Sequence, residues 1–148
     1  MQKLNLPAFE VKLIEKESKY FIFDLIRKKY VSLSPEEWVR QHLINYLVTH
    51  LQYPKGLFRI EKQHAYNEMA RRSDILILDQ QGKPWMLAEC KAPEVKLANS
   101  SLQQLAIYNK TLLATYLVLC NGLELYCWKA GDEHKPAQLL DELPVFGK

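Results

Sequence analysis

Residues 71–93 read RRSDILILDQQGKPWMLAECKAP, two apolar runs separated by a polar break containing glycine and proline. DILIL (74–78) and WMLAECKA (85–92) have the length and composition of strands, Gln80 to Pro84 supply the turn between them, and Pro93 stops the second run. Alternation in the second strand sends Met86, Ala88, Cys90 and Ala92 to one face and Trp85, Leu87, Glu89 and Lys91 to the other. Both faces are apolar except at Glu89 and Lys91. An ionised group in a buried strand loses hydration at a cost of several kcal/mol, so these two residues need partners or a task. Asp74 opens the first run, and hairpin pairing would bring it beside Glu89.

Two carboxylates converging at a sheet edge repel and raise each other's pKa unless a cation sits between them. Mg²⁺, with Mn²⁺ as a substitute, meets that need through hard oxygen ligands from Asp74 and Glu89, together with the Cys90 carbonyl and water. Lys91, on the face of Glu89, would orient the attacking water and offset charge on a phosphorane-like transition state. The chemistry implied is phosphodiester hydrolysis by metal-activated water. Taken alone, Glu-x-Lys on a strand is most often a solvent-facing ion pair worth under about 1 kcal/mol. The apolar strand around this pair, and an aspartate heading the strand before it, set it apart.

Upstream, LSPEEWVRQHLINYLVTHL (33–51) reads as a helix. Ser34 suits the N-cap, Pro35 the first helical position, and Glu36 and Glu37 the positive end of the dipole. Leu43, Ile44, Leu47 and Leu51 form its buried stripe. Glu36 falls near the middle of that stripe and is expected to point toward the sheet, whereas Glu37 at its margin suits a capping box with Ser34. Before the helix, FEVKLIEKESKYFIFDLI (9–26) has two apolar-rich stretches around Glu17-Ser18-Lys19, the pattern of a hairpin. The basic patch Arg27-Lys28-Lys29 follows. Lys28, Arg71 and Arg72 are candidate phosphate contacts, although charge runs this short are usually solvated surface.

Downstream, Pro54 and Gly56 end the first helix and LFRIEKQHAY (57–66) resembles a strand. Asn99 or Ser100 can cap a second helix with Leu102, Leu105, Ala106, Leu112 and Leu113 on its apolar side. YLVLC, Asn121-Gly122 and LELYCW then predict a hairpin closed by a type I′ turn. The segment 131–148 is polar and then weakly apolar, and nothing in it decides between docking and a free tail.

These motifs together resemble the PD-(D/E)XK nuclease superfamily, and more narrowly the N-terminal nuclease domain of type I restriction enzyme R subunits. The similarity runs from about Leu33 to Gly122. It implies metal binding by Asp74 and Glu89 with Lys91 completing the core motif, and it places the glutamate of the family's first helix, as a further metal ligand, on Glu36, ahead of Val39 and Arg40. QLAIYN resembles the family's Gln-x-x-x-Tyr element, which assigns a catalytic role to Gln104 and substrate contact to Tyr108. One helical turn apart, these two can reach one site together, though an ordinary polar stripe has the same spacing. The fold implied is α/β and restriction-endonuclease-like, a mixed central sheet flanked by helices. The function implied is Mg²⁺-dependent DNA cleavage; the alternative is a non-catalytic nucleic-acid-binding or assembly module with the same fold. R subunits continue into a helicase motor, so the expected partners besides DNA are a second copy of the chain or separately encoded restriction-system subunits.

Composition is compatible with this reading and excludes several others. With 148 residues and 48% hydrophobic content, the chain suits one domain with a continuous core: the hairpin 9–26, a nuclease core of about 33–129 and the tail 131–148. A net charge of +3 does not by itself demand a polyanionic partner. Cys90, Cys120 and Cys127 each sit in an apolar run, as reduced buried thiols of a cytoplasmic protein do, and the four scattered histidines give no zinc-ligand spacing. Neither a signal-peptide core nor a membrane-spanning apolar run is present.

Overall fold

The computed structural model describes residues 1–60 and 75–147. It begins with a three-stranded antiparallel sheet of β1 (Leu13–Lys16), β2 (Lys19–Asp24) and β3 (Lys29–Ser32). Glu17 and Ser18 form the first turn with φ of 53° and 65°, the left-handed geometry that matches strand twist in a two-residue hairpin loop. The basic run after β2 leads directly into β3, a strand whose opening lysine and short length mask it in the sequence.

Helix α1 (Pro35–His50) starts where its signals place it, with Ser34 Oγ accepting the Glu37 N–H at 3.0 Å and Pro35 in the first turn. A 3-10 turn (Lys55–Leu57) precedes β4 (Phe58–Ile60), β5 (Ile75–Leu78) and β6 (Pro84–Cys90). Helix α2 (Asn99–Leu112) then crosses over to β7 (Tyr116–Cys120), followed by β8 (Leu125–Lys129) and β9 (Gln138–Leu140). Strands β4 to β9 lie in that order in one six-stranded sheet, parallel only between β6 and β7. The architecture is α/β with a mixed sheet. A parallel pair needs a crossover connection, and α2 is that connection.

Strand alternation distributes the core onto the two faces of the sheet. Ile75, Ile77, Met86, Ala88, Cys90, Val118 and Cys120 pack with Val39, Leu43, Ile44 and Leu47 of α1. Leu87, Leu117 and Leu119 pack on the other side with Leu105 of α2. Full burial of one such aliphatic side chain stabilises by roughly 1.5–3 kcal/mol, which makes these two layers the main source of cohesion.

Four local expectations are corrected. Ala98, not Asn99 or Ser100, occupies the N-cap of α2, and its side chain supplies no capping bond. The Asn121-Gly122 turn is a four-residue loop between Cys120 and Leu125 rather than a type I′ turn. Asn121 Oδ1 accepts the N–H groups of Leu123 and Glu124, and Gly122 alone of the pair has positive φ, 87°. Trp85 joins Tyr53, Tyr116 and Phe146 on the α1 side, because a bulge opposite Leu78 interrupts the alternation of β6 at its start. The second strand also ends at Cys90, short of Ala92.

The C-terminal segment docks. Beyond β9, Leu143 is buried, Phe146 N–H donates to Leu51 O, and Tyr53 donates its hydroxyl to Pro144 O at 2.8 Å while accepting from the Trp85 indole. The N-terminal segment docks too: Leu4 enters the core, and Asn5 N–H donates to Gly122 O at 2.7 Å. Among the described residues, no helix is long and apolar enough to cross a membrane.

Candidate active site

Glu89 is the penultimate residue of β6 and follows Leu87 on the face that looks toward α2. The parallel register sets it opposite Leu119, and it is only 3% exposed. Lys91 extends the ladder by one step, its N–H donating to Cys120 O at 2.8 Å. That bond holds its backbone in line with the strand, and its ammonium lies 3.7 Å from Glu89 Oε2. Cys90 turns its thiol into the α1-side core, which leaves its backbone carbonyl as the atom it could offer a hard cation.

The loop after Lys91 is braced. Val95 N–H returns to Ala92 O around Pro93, and Asn121 Nδ2 donates to Val95 O at 2.9 Å. Asn121 thus ties the end of β7 to the loop that leaves β6. On α2, Gln104 is exposed, and Tyr108 is half-buried against the cluster containing Leu87. Glu89, Lys91 and Tyr108 therefore share one side of the sheet, with Gln104 one helical turn from Tyr108.

Asp74, Arg71 and Arg72 lie outside the described residues. Ile75, the residue next to Asp74, pairs with Ala88, the residue next to Glu89. Among the described residues no group of three or more His, Cys, Asp or Glu side chains forms a metal cluster. Lys28 is exposed, with φ of 56°, in the turn that leads to β3.

The first turn of α1 reverses the expected orientation of its two acids. Glu36 is exposed and Glu37 is 7% exposed. Side chains of a helix lean toward its N-terminus, which carries Glu36 past the covered part of α1. Glu37 instead enters a polar network: Oε1 takes Arg40 at 2.8 Å and stands 3.6 Å from Arg27, while Oε2 accepts from Gln41 at 2.9 Å. Of the expected capping box only the Ser34 half is seen among these bonds. Asp24, fully buried, accepts the Arg27 Nε at 2.6 Å and the N–H groups of Ile26 and Arg27. The network joins the small sheet to α1, and the sequence reading missed it. Its trace is the i, i+4, i+7 line Glu37, Gln41, Ile44, in which polar residues continue an apolar stripe.

Burial dominates the shifts of His42, Cys120 and Cys127. Desolvation lowers the pKa of His42, opposed by its bond to Trp38 O; the ring lies edge-on between Phe9 and Trp38. It pushes the Cys120 thiol up to about 11 and Cys127 up to about 12, the behaviour of inert core thiols.

These features define an α/β domain that carries a buried carboxylate and an ammonium two residues apart at the C-terminal end of an inner strand. Residues 35–144 match the family described as type I restriction enzyme R protein N terminus (HSDR_N), and the chain belongs to that family. No curated protein matches the sequence.

Proposed function

We propose that the chain is a divalent-metal-dependent DNA endonuclease with the restriction-endonuclease-like fold of the PD-(D/E)XK nucleases. The observation that carries this reading is Glu89, a carboxylate held on an inner strand beside Lys91, in a chain of the restriction R-protein N-terminal family. Several kcal/mol of desolvation oppose such a group, and a task at the sheet's end accounts for its retention.

Glu89 and Asp74 are the proposed ligands, and the pairing of their neighbours Ala88 and Ile75 supports bringing them together. The donor set suits a hard cation: carboxylate oxygens and the Cys90 carbonyl, with thiols turned away. Mg²⁺ or Mn²⁺ held there would supply Lewis-acid polarisation of a phosphoryl oxygen. Lys91 holds its ammonium where it can orient an attacking water and balance charge developing on the phosphate. Tyr108 and Gln104 position the substrate backbone from α2 by hydrogen bonding without adding charge. Lys28, Arg71 and Arg72 are the proposed phosphate contacts, and separately encoded restriction-system subunits or a second copy complete the assembly.

The test is incubation of the purified chain with plasmid, single-stranded and branched DNA, with and without Mg²⁺ or Mn²⁺, beside Glu89→Gln. Metal-dependent cleavage that Glu89→Gln abolishes supports the enzyme. DNA binding that is indifferent to metal, with every substrate left intact, selects a non-catalytic binding or assembly module.

A further inference from the structure

The three-stranded sheet presents one face that its own register makes aromatic and basic. Ile14 pairs with Phe21 and Phe21 with Ser32; Phe23 pairs with Tyr30; Lys16 pairs with Lys19. Directly paired residues share a face, so these side chains lie on the side opposite Ile22 and Asp24, both fully buried. Ile14 and Tyr30 are 42% and 40% exposed, and Phe21 and Phe23 are half-buried. Phe23 and Tyr30 meet edge to face at 5.3 Å, and the ammonium of Lys12 stands 5.5 Å from the centre of the Phe23 ring. Lys12, Lys16 and Lys19 are all exposed. The acids of these strands point the other way: Glu15 pairs with Tyr20 on the opposite face, and Asp24 is held by Arg27.

A cavity of about 390 Å³ opens at the end of the same face and shares Lys12 and Phe23 with it. Tyr46, Asn45 and His50 of α1 supply its polar lining, and Glu10 is the acidic residue among those that line it. Tyr46 and His50 add a second aromatic pair, with ring centres 5.6 Å apart. Aromatic rings in file, a flanking row of ammonium groups and a polar recess are the parts with which proteins bind unpaired nucleotides: bases stack on the rings, phosphates meet the cations, and base edges find hydrogen bonds.

We infer that this face is a binding platform for single-stranded DNA, with bases stacked on Phe21, Phe23 and Tyr30 and phosphates along Lys12, Lys16 and Lys19. Charge complementarity selects the occupant: three exposed lysines on an aromatic face favour a flexible polyanion with π-faces over a second copy of a chain that also carries net positive charge. The choice of DNA rests on the proposed nuclease reading, but binding at this face requires none of Glu89, Lys91 or metal.

The experiment is fluorescence anisotropy with a labelled oligo-dT strand in EDTA, with an unlabelled duplex as competitor, followed by a salt titration. Phe21→Ala with Tyr30→Ala is expected to weaken binding at least about tenfold, whereas Phe21→Tyr with Tyr30→Phe preserves it. The triple variant Lys12→Gln, Lys16→Gln, Lys19→Gln changes only exposed side chains and tests the inference independently of the aromatic pair. It is expected to flatten the slope of log K against log salt by about 2, because each phosphate contact to a single strand contributes about 0.7. Wild-type affinity and slope in the lysine variant, or wild-type affinity in a folded alanine variant, overturn the inference. A platform that binds while no substrate is cut leaves this inference standing and removes the nuclease reading; cleavage with no oligo-dT binding does the reverse.

Discussion

The ammonium of Lys91 lies 3.7 Å from the carboxylate of Glu89, yet the two side chains differ in access, at 23% and 4% exposure. Glu89 is held inside the sheet while Lys91 reaches outward from its end. Removing the ammonium would leave Glu89 a buried charge without that partner, but the 23% exposure of Lys91 lets water enter in its place. Lys91→Ala should accordingly leave the thermal midpoint nearly unchanged. It should slow metal-dependent DNA cleavage at least about a hundredfold, the usual effect of removing one transition-state stabiliser. Single-turnover cleavage beside a thermal melt measures both, and a wild-type cleavage rate would return Lys91 to the ordinary run of strand ion pairs.

Asp24 makes three hydrogen bonds from a fully buried position, one of them to a guanidinium. Asp24→Ala should destabilise the chain by about 2–3 kcal/mol, because hydrogen bonds to charged groups are worth roughly 1.5–3 kcal/mol and two backbone donors lose their acceptor as well. Arg27→Ala should cost less, since that side chain is 29% exposed and water can replace it at Asp24. Urea titrations of the two variants give the order; equal midpoints would show that the network between the small sheet and α1 does not couple them.

The packing of His42 between Phe9 and Trp38 makes a prediction about pH. Its pKa is lowered in the folded state by burial, so between that value and the unfolded value near 6.5 the unfolded chain binds the extra proton. Stability rises with pH wherever the unfolded state binds more protons. This residue's contribution is therefore complete above about pH 6.5 and is lost as pH falls toward the folded pKa. Denaturation at pH 8 and pH 5 should show a smaller drop in His42→Gln than in wild type; an equal drop would assign the acid sensitivity to other groups.

Gly122 is constrained twice. Its φ of 87° is one that L side chains rarely adopt, and an added Cβ would fall 2.7 Å from Leu4 Cδ2. Gly122→Ala should cost about 1–3 kcal/mol, with strain and steric displacement both contributing. Leu4→Ala in the same background should recover part of the loss, a coupling that a double-mutant cycle measures.

Where periodicity and caps agree, the structure follows the sequence. Ser34 and Pro35 start α1, Glu17-Ser18 closes the first hairpin, and the strands around Glu89 fall within two residues of their expected limits. Glu36 and Glu37 differ because a hydrophobic stripe reports the average covered face of a helix. It does not report that Arg27, contributed by a separate sheet, reaches one acid and not the other. Trp85 differs because a bulge is a local count of residues against a partner strand, and neither strand shows it alone. The docking of Phe146 depends on contacts distant in sequence, which local propensity cannot signal, and β3 is too short and too polar at its start to announce itself. For the candidate site, the partnership of Glu89 with Lys91 was legible because two charges inside an apolar strand are costly enough to demand a reason.

The family match begins at residue 35 and ends at 144, but the core does not respect those limits. Leu4 fills space over Gly122, Asp24 and Arg27 anchor the entrance of α1, and Phe146 leans on Tyr53 and Trp85. A fragment trimmed to the matched limits would expose apolar surface at both ends and leave Glu37 without Arg27. Any excision or transplant meant to keep this core intact therefore has to carry both flanks along.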